Sequence, residues 1–398
     1  MEYPKIYLVL DNCFAIKRWV KPADWLELTR EIGFSYAQAS TDNEIDPLFS
    51  TVDYMDDWFE EVKQYEKKTG VKVINFYTGY QTYRTVGLAH HDARIRRKLM
   101  EGWFKPLIQR IADLGAAGLG FSYFAIPDAV LQDPIEYQER TEIILDLLGE
   151  LAEHAYINNR LQVSFEQMYA PHQPPWTISG SRDYLKQIYA RHQKPLYLTI
   201  DVGHMVGQSK FLKPTPQVLA NSLSADDPAE EALSPIWLGS DEAFQIWSAA
   251  KGKCKAKDDI EGAIRAINFE MDKYPYLFAE PKDGDPYGWL QELGCFSPII
   301  HMQQTNGRHS SHAAFTPSAN KEGIITGDKL LHAIASSYQR QRESGMPETV
   351  GDIFLSFEIF ASNIETKAEV IQKLKQTVAY WRRYVPEDGI PLDQLVKH

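Results

Sequence analysis

Short apolar runs rich in β-branched and aromatic residues alternate with longer amphipathic runs along the whole chain. Runs of the first kind are typical of buried strands, and their even spacing is typical of parallel βα units. Eight strands are predicted, at 6–10, 36–39, 71–77, 118–124, 161–165, 196–200, 298–302 and 353–357.

Each predicted strand is followed by a run with helical periodicity and recognisable ends. The run 92–115, for example, carries apolar residues at Leu99, Trp103, Leu107 and Ile111, a stripe along one helix face. Helices are predicted at 22–33, 51–70, 92–115, 134–158, 179–193, 285–294, 327–345 and 366–384. Eight strands alternating with eight helices predict an α/β fold, a (β/α)8 TIM barrel that occupies residues 1–398 as one domain.

One connection is too long for a single βα unit. One hundred positions separate Asp201 from His301, whereas one unit needs about 30 residues. Residues 207–281 are therefore predicted to form an insertion after strand 6, with helices at 240–250 and 259–273. This insertion either serves as a lid over the site or as an oligomer contact, or it has no role in function.

The amino-acid composition limits the binding partners and the cellular compartment that we expect for this protein. The 398 residues are 44% hydrophobic and carry a net charge of −12, which disfavours nucleic acid and anionic membranes as partners. There is no secretory signal and no apolar run of about 20 residues, so we expect a cytoplasmic protein, acting on a small molecule and forming a homo-oligomer. Cys13, Cys254 and Cys295 are too scattered for a disulfide framework or a zinc motif.

Four predicted strands in the second half end in side chains that bind metals or move protons. Glu166, Asp201, His301 and Glu358 close strands five to eight, and His204 follows Asp201 by three residues. Singly, such residues cap helices, lie in loops or fill the core. On adjacent strands of a barrel they converge, and three carboxylates held together repel unless a cation neutralises them. The set predicts a divalent metal, Mn²⁺ or Mg²⁺ with Co²⁺ as an alternative, rather than structural zinc.

The loop after strand seven is rich in hydrogen-bond donors. Arg308, His309 and His312 are candidates for binding substrate hydroxyls or a phosphate, and the alternative is a solvated loop.

A metal at these strand ends suits chemistry on a hydroxy-ketone. Chelation of two neighbouring oxygens acidifies the C–H between them, and two glutamates can move the proton through an enediolate. The outcome is either epimerisation or aldose/ketose isomerisation. The chain has neither a Gly-x-Gly-x-x-Gly loop nor a Walker loop for a nucleotide cofactor.

Three segments resemble the xylose isomerase-like barrel superfamily, especially its ketose 3-epimerase branch. They are Asp201-Val-Gly-His204, the run 285–294 that leads into Ile299-Ile-His301, and the run 88–98. The long insertion departs from the family pattern. The Gln-Gln-Thr-Asn-Gly loop at 303–307 is similar to members acting on tetrulose phosphates, which implies a small phosphorylated ketose as substrate.

The resemblance also implies a role for each residue. It assigns Glu166, Asp201, His301 and Glu358 to the metal, the two glutamates to proton transfer, and His204 to substrate. The family's substrate-binding arginine corresponds most nearly to Arg308. The spacing from His301 to Arg308 is one residue longer than the family's spacing.

Three other functions remain open. A dehydratase of polyol ketones on the same barrel could use the same enediolate to expel water. A metal phosphodiesterase acting on damaged DNA would need more histidines and a basic surface, and a chain with a net charge of −12 and one strand-end histidine argues against it. A sugar-binding protein would not need two glutamates beside a metal.

Overall fold

Eight parallel strands close into a barrel, as the strand spacing predicts. The computed structural model describes residues 2–46, 50–79, 85–225, 236–253 and 257–396. Hydrogen bonds run in the order β2-β3-β4-β5-β6-β7-β8-β1, and β1 also pairs with β2, which closes the ring. The strands are β1 (Lys5–Asp11), β2 (Tyr36–Ser40), β3 (Lys72–Thr78), β4 (Gly118–Phe121), β5 (Gln162–Glu166), β6 (Tyr197–Asp201), β7 (Ile299–Met302), β8 (Asp352–Phe357) and the short antiparallel β9 (Ile390–Pro391).

Helices connect the strands and cover the barrel. They are α1 (Pro22–Ile32), α2 (Val52–Thr69), α3 (Ala93–Leu99), α4 (Lys105–Leu114), α5 (Asp128–Leu131), α6 (Pro134–Ile157), α7 (Ile178–His192), α8 (Pro216–Ser224), α9 (Asp241–Ala250), α10 (Lys257–Met271), α11 (Pro286–Leu293), α12 (Ala319–Glu322), α13 (Gly327–Gln339), α14 (Lys367–Trp381) and α15 (Leu392–Leu395). The residues at several helix termini explain where those helices begin and end. Thr51 caps α2, and Gly70 ends it in the left-handed region at φ 75°.

Three predicted elements differ from the structure. The helix predicted at 327–345 ends at Gln339. The helix expected at 92–115 is interrupted by a π-helical turn, Met100–Phe104. Pro106 lies just beyond this turn and lacks the N–H that a regular helix would use there, which explains the break. Strand β4 ends at Phe121 rather than at residue 124, because the chain then turns and Tyr123 O accepts a hydrogen bond from Leu88 N.

The insertion after β6 has a small apolar core of its own. Helices α8, α9 and α10 pack around Leu219, Leu223, Trp247, Ile267 and Met271. The predicted helices at 240–250 and 259–273 correspond to α9 and α10, whereas α8 was not predicted. Whether this insertion acts as a lid or an oligomer contact stays a prediction.

The insertion contacts the barrel through hydrogen bonds and aromatic stacking. The Asp241 N–H donates to Gln132 Oε1 over 2.8 Å, and the Tyr276 hydroxyl donates to Leu131 O over 2.9 Å. The rings of Tyr137 and Tyr276 stack with centroids 3.7 Å apart. These contacts join the insertion to the segment around α5 and α6.

The remaining expectations concern cysteines and membranes. Cys13 and Cys295 are buried free thiols, and Cys254 lies outside the described residues. Among the described helices, none combines the length and apolar character needed to cross a bilayer.

Candidate metal centre

Four side chains converge at the carboxyl ends of β5, β6, β7 and β8. Glu166 and Asp201 are the last residues of their strands, His301 lies in β7 opposite Asp201, and Glu358 directly follows β8. All four are at most 8% exposed. One ligand atom from each lies within 4.8 Å of the others. The structure therefore brings together the four residues predicted to bind metal.

His301 is the imidazole at the centre of this cluster. Its Nδ1 lies 2.7 Å from Glu166 Oε1 and 3.4 Å from Glu358 Oε2. Burial lowers the pKa of His301, but the charges of Glu358 and Glu166 outweigh burial and raise this pKa to about 10. These distances show that Nδ1 is the ring nitrogen that faces the carboxylates of Glu166 and Glu358.

Asp201 offers an oxygen without a hydrogen-bond partner. Its Oδ1 accepts hydrogen bonds from Gly203 N at 2.6 Å and from Gln303 Nε2 at 2.8 Å. Its Oδ2 is buried and accepts no hydrogen bond within the described ranges, and burial raises the pKa of this carboxyl. A buried carboxylate oxygen without a donor is costly. Three carboxylates and one imidazole, with this oxygen free, fit a divalent cation.

Glu358 is also paired with the predicted substrate residue His312. Glu358 Oε2 lies 3.3 Å from His312 Nδ1. Burial lowers the pKa of His312, but Glu358 more than compensates and raises it to about 9. Burial raises the pKa of Glu358, whereas the imidazoles of His312 and His301 lower it to about 2. Glu358 is thus held as a carboxylate between two imidazoles.

His204 lies beside Asp201, as predicted. Its Nδ1 is 2.8 Å from Gln167 O, which turns Nε2 toward Asp201 Oδ2 at 3.6 Å. The ring of Tyr169 packs on His204 with centroids 3.9 Å apart. Asp201, His204 and His312 form a second group whose ligand atoms lie within 4.8 Å of one another. The two imidazoles are therefore placed to contact a molecule bound at the cluster.

Arg308 and His309 are not brought to the cluster. Both are exposed, and neither side chain makes a hydrogen bond or an ion pair with the described residues. Gly307 turns the chain at φ 77°. The loop then returns to the site at Ser310, whose hydroxyl accepts a hydrogen bond from Gln303 Nε2, and at His312. Of the three loop residues predicted to bind substrate, the structure places His312 at the site.

Several residues at the site were not singled out from the sequence. The Tyr77 hydroxyl donates to Glu166 Oε2, and Gln303 bonds Asp201. Gln38 Nε2 contacts both Asp11 Oδ2 and His301 Nε2. Asp11 and Tyr77 end or nearly end β1 and β3, so the strand-end criterion used for the second half would have found them.

The family follows from a comparison with protein-family models. Residues 26–233, more than half of the chain, match the model of the xylose isomerase-like TIM barrel. The chain belongs to the xylose isomerase-like TIM barrel family. The match covers β2 to β6 of this family's barrel and includes Glu166, Asp201 and His204, whereas His301 and Glu358 lie beyond it.

This chain is similar to a curated relative, D-erythrulose 1-phosphate 3-epimerase of Brucella abortus strain 2308. The two chains are 25% identical over 322 residues, which cover 80% of this chain and 77% of the relative.

Solved structures show the same fold at lower sequence identity. A putative xylose isomerase from Rhodospirillum rubrum ATCC 11170 is 16% identical, with a TM-score of 0.66 over 95% of this chain and 99% of the other. D-psicose 3-epimerase from Clostridium cellulolyticum H10 is 12% identical, with a TM-score of 0.53 over 95% of this chain and 98% of the other. These likenesses support the barrel assignment alone.

Proposed function

We propose that this protein is a divalent-metal-dependent epimerase or isomerase of a ketose or ketose phosphate. The observation that carries the proposal is the buried group of three carboxylates and one imidazole on four adjacent strands. The relative named D-erythrulose 1-phosphate 3-epimerase, which matches over most of its length, supports a sugar substrate and favours a phosphorylated one.

Glu166, Asp201, His301 and Glu358 would hold the metal. Mostly oxygen donors suit Mn²⁺ or Mg²⁺, with Co²⁺ as an alternative. Bound there, the metal would act as a Lewis acid that stabilises negative charge on the substrate's oxygens. The free Oδ2 of Asp201 and the inward Nδ1 of His301 support this assignment.

The two glutamates are proposed to move the proton. They are the outer members of the four-strand arc, and Asp201 and His301 lie between them along the sheet. One glutamate removes a proton from the carbon next to the substrate carbonyl, and the other returns a proton from the other side. Return to the same carbon gives epimerisation, whereas transfer to the neighbouring carbon gives aldose/ketose isomerisation.

The surrounding side chains orient these groups. Tyr77 donates to Glu166 Oε2, which fixes the carboxylate plane. His312 and His204 reach the same space with their ring nitrogens, and we assign them to the substrate's hydroxyl oxygens. A carboxylate that is buried and hydrogen-bonded in this way is pre-oriented before substrate arrives.

The test is a substrate panel in D₂O. Chelator-treated protein is supplied with Mn²⁺ and incubated with ketoses and ketose phosphates, tetrulose phosphates included. Mass spectrometry and NMR are then used to follow the product. We expect one deuterium in the product, either at the carbon that changes configuration or, after isomerisation, at the carbon that was the carbonyl of the substrate. Loss of water with every active substrate would instead identify the dehydratase, and the absence of any exchange across the panel would refute the proposal.

A further inference from the structure

A buried row of polar side chains crosses the barrel beside the candidate metal centre. Asp11, Gln38, His301 and Ser356 come from β1, β2, β7 and β8, and none is more than 1% exposed. Asp11 is the register partner of Gln38, and His301 is the register partner of Ser356. Gln38 therefore reaches from one side of the barrel to a candidate ligand on the other side.

The amide of Gln38 is held at both ends. Its Nε2 lies 2.5 Å from Asp11 Oδ2 and 3.0 Å from His301 Nε2. Its Oε1 accepts a hydrogen bond from the Ser356 hydroxyl at 3.0 Å. Asp11 is fixed in turn, because its Oδ1 accepts from Cys13 N at 2.7 Å. Both edges of the His301 ring are thus in contact, Nδ1 with carboxylates and Nε2 with Gln38.

The orientation of this amide decides which nitrogen of His301 carries the proton. An amide nitrogen facing Nε2 requires that Nε2 accept, so a neutral ring then has its proton on Nδ1. An amide oxygen facing Nε2 has the opposite effect: Nε2 carries the proton, and Nδ1 has a free lone pair. The two orientations differ by a half-turn of the amide and occupy the same volume.

All neighbours of Gln38 can satisfy the second orientation. The hydroxyl of Ser356 accepts as readily as it donates. Asp11 then donates to the amide oxygen as a carboxylic acid, and the 2.5 Å separation suits an O–H···O bond better than an N–H···O bond. Burial raises the pKa of Asp11 to about 6, which brings its protonated form closer to neutral pH. In this orientation the amide oxygen accepts hydrogen bonds from Asp11 and His301, and one N–H of the amide donates to the Ser356 hydroxyl.

We propose that Gln38 is a positioning residue for the metal centre: its amide oxygen accepts the Nε2 proton of His301 and so keeps Nδ1 free to bind a divalent cation. Asp11 and Ser356 hold the amide in place. The inference rests on the proposed function, since it assumes that His301 is a metal ligand. Partners of this kind typically contribute about 10-fold to 100-fold to metal affinity.

The test is the Mn²⁺ dissociation constant, measured from the EPR signal of free Mn²⁺. We expect Gln38→Leu to weaken binding by about 10-fold to 100-fold. The double variant Asp11→Asn with Gln38→Glu exchanges carboxylate and amide and restores an acceptor for His301, so its affinity should return close to that of the wild type. Asn75→Leu is the matched control, because Asn75 is a fully buried barrel amide whose side chain has no hydrogen bond within the described residues.

Repeating the Gln38→Leu substitution in a His301→Ala protein separates an effect that acts through His301 from a general loss of structure. In His301→Ala protein, Gln38→Leu should cause no further loss of Mn²⁺ affinity. Thermal unfolding of the chelator-treated variants reports whether each one is folded. An unchanged affinity in Gln38→Leu, or an equal loss with and without His301, would overturn the inference while the proposed function stands. If wild-type protein failed to bind Mn²⁺, both would fall.

Discussion

Replacing Glu358 by glutamine separates the proton-transfer role of this side chain from its volume. Glu358 is 8% exposed, and its Oε2 lies 3.3 Å from His312 Nδ1 and 3.4 Å from His301 Nδ1. The amide keeps the shape and one oxygen but cannot take up a proton. Because so little water reaches this position, solvent is a poor substitute for the carboxylate.

The expected loss follows from these contacts. A positioned acid or base contributes about 10²-fold to 10⁴-fold, so Glu358→Gln should lower kcat at least about 100-fold, or about 3 kcal/mol in the activation barrier. The same change removes the main charge that raises the pKa of His312 to about 9. NMR titration of chelator-treated protein should therefore show the His312 pKa moving down toward its ordinary value.

The matched control is Glu66→Gln. Glu66 has the same exposure of 8%, and it accepts a hydrogen bond from Val73 N at 2.8 Å near the start of β3, at the opposite end of the barrel. We expect this variant to turn over substrate like the wild type. If Glu358→Gln kept wild-type turnover, or if Glu66→Gln lost as much, the assignment of Glu358 to proton transfer would be wrong.

Three further changes test other parts of the structure. Chelation should abolish turnover and Mn²⁺ should restore it, while Mn²⁺ at about 100 times its dissociation constant should add about 2.7 kcal/mol to the free energy of unfolding; activity that survives chelation would contradict the metal requirement. Tyr77→Phe removes the hydrogen bond to Glu166 Oε2, so kcat should fall by about 10-fold or more, with Mn²⁺ affinity the control measurement. Burial raises the pKa of Glu44 from 4.5 to about 7. Between these two pH values the folded chain keeps a proton that the unfolded chain releases. The free energy of unfolding should therefore fall by about 3 kcal/mol as the pH rises from about 4.5 to about 7. Glu44→Gln should remove this decline. Urea unfolding at about pH 5 and about pH 8 gives the change in the free energy of unfolding for each protein, and an equal change in the wild type and the variant would refute the prediction.

The barrel could be predicted from the sequence because each strand carries its own signal. Leu198-Thr-Ile-Asp201 and Phe354-Leu-Ser-Phe-Glu358 read as buried strands that end in a carboxylate, and closure of eight such strands places these ends together. The four candidate ligands follow from that rule alone. The same rule, applied to β1 and β3, points to Asp11 and Tyr77.

Contacts across the barrel and within loops could not be predicted in this way. Gln38 lies within a short strand, and its contact with His301 depends on register and side-chain reach, which one sequence does not reveal. Arg308 and His312 lie four positions apart in a polar loop. The backbone enters the left-handed region at Gly307 and again at His312, so the residue types alone do not reveal which of the two side chains faces the site. The break before Pro106 has a local cause, but the apolar stripe continues across it and conceals it.

The charges of the centre determine how protons and a divalent cation would share it. Three buried carboxylates, Glu166, Asp201 and Glu358, lie beside two imidazoles, and the pKa values of His301 and His312 are raised to about 10 and about 9. At neutral pH these raised pKa values favour protonated imidazoles in chelator-treated protein, and their charges offset negative charge on the neighbouring carboxylates. A divalent cation brings the same two charges, but it can bind His301 only after Nδ1 loses its proton. We therefore expect protons and a divalent cation to compete for this one group of side chains.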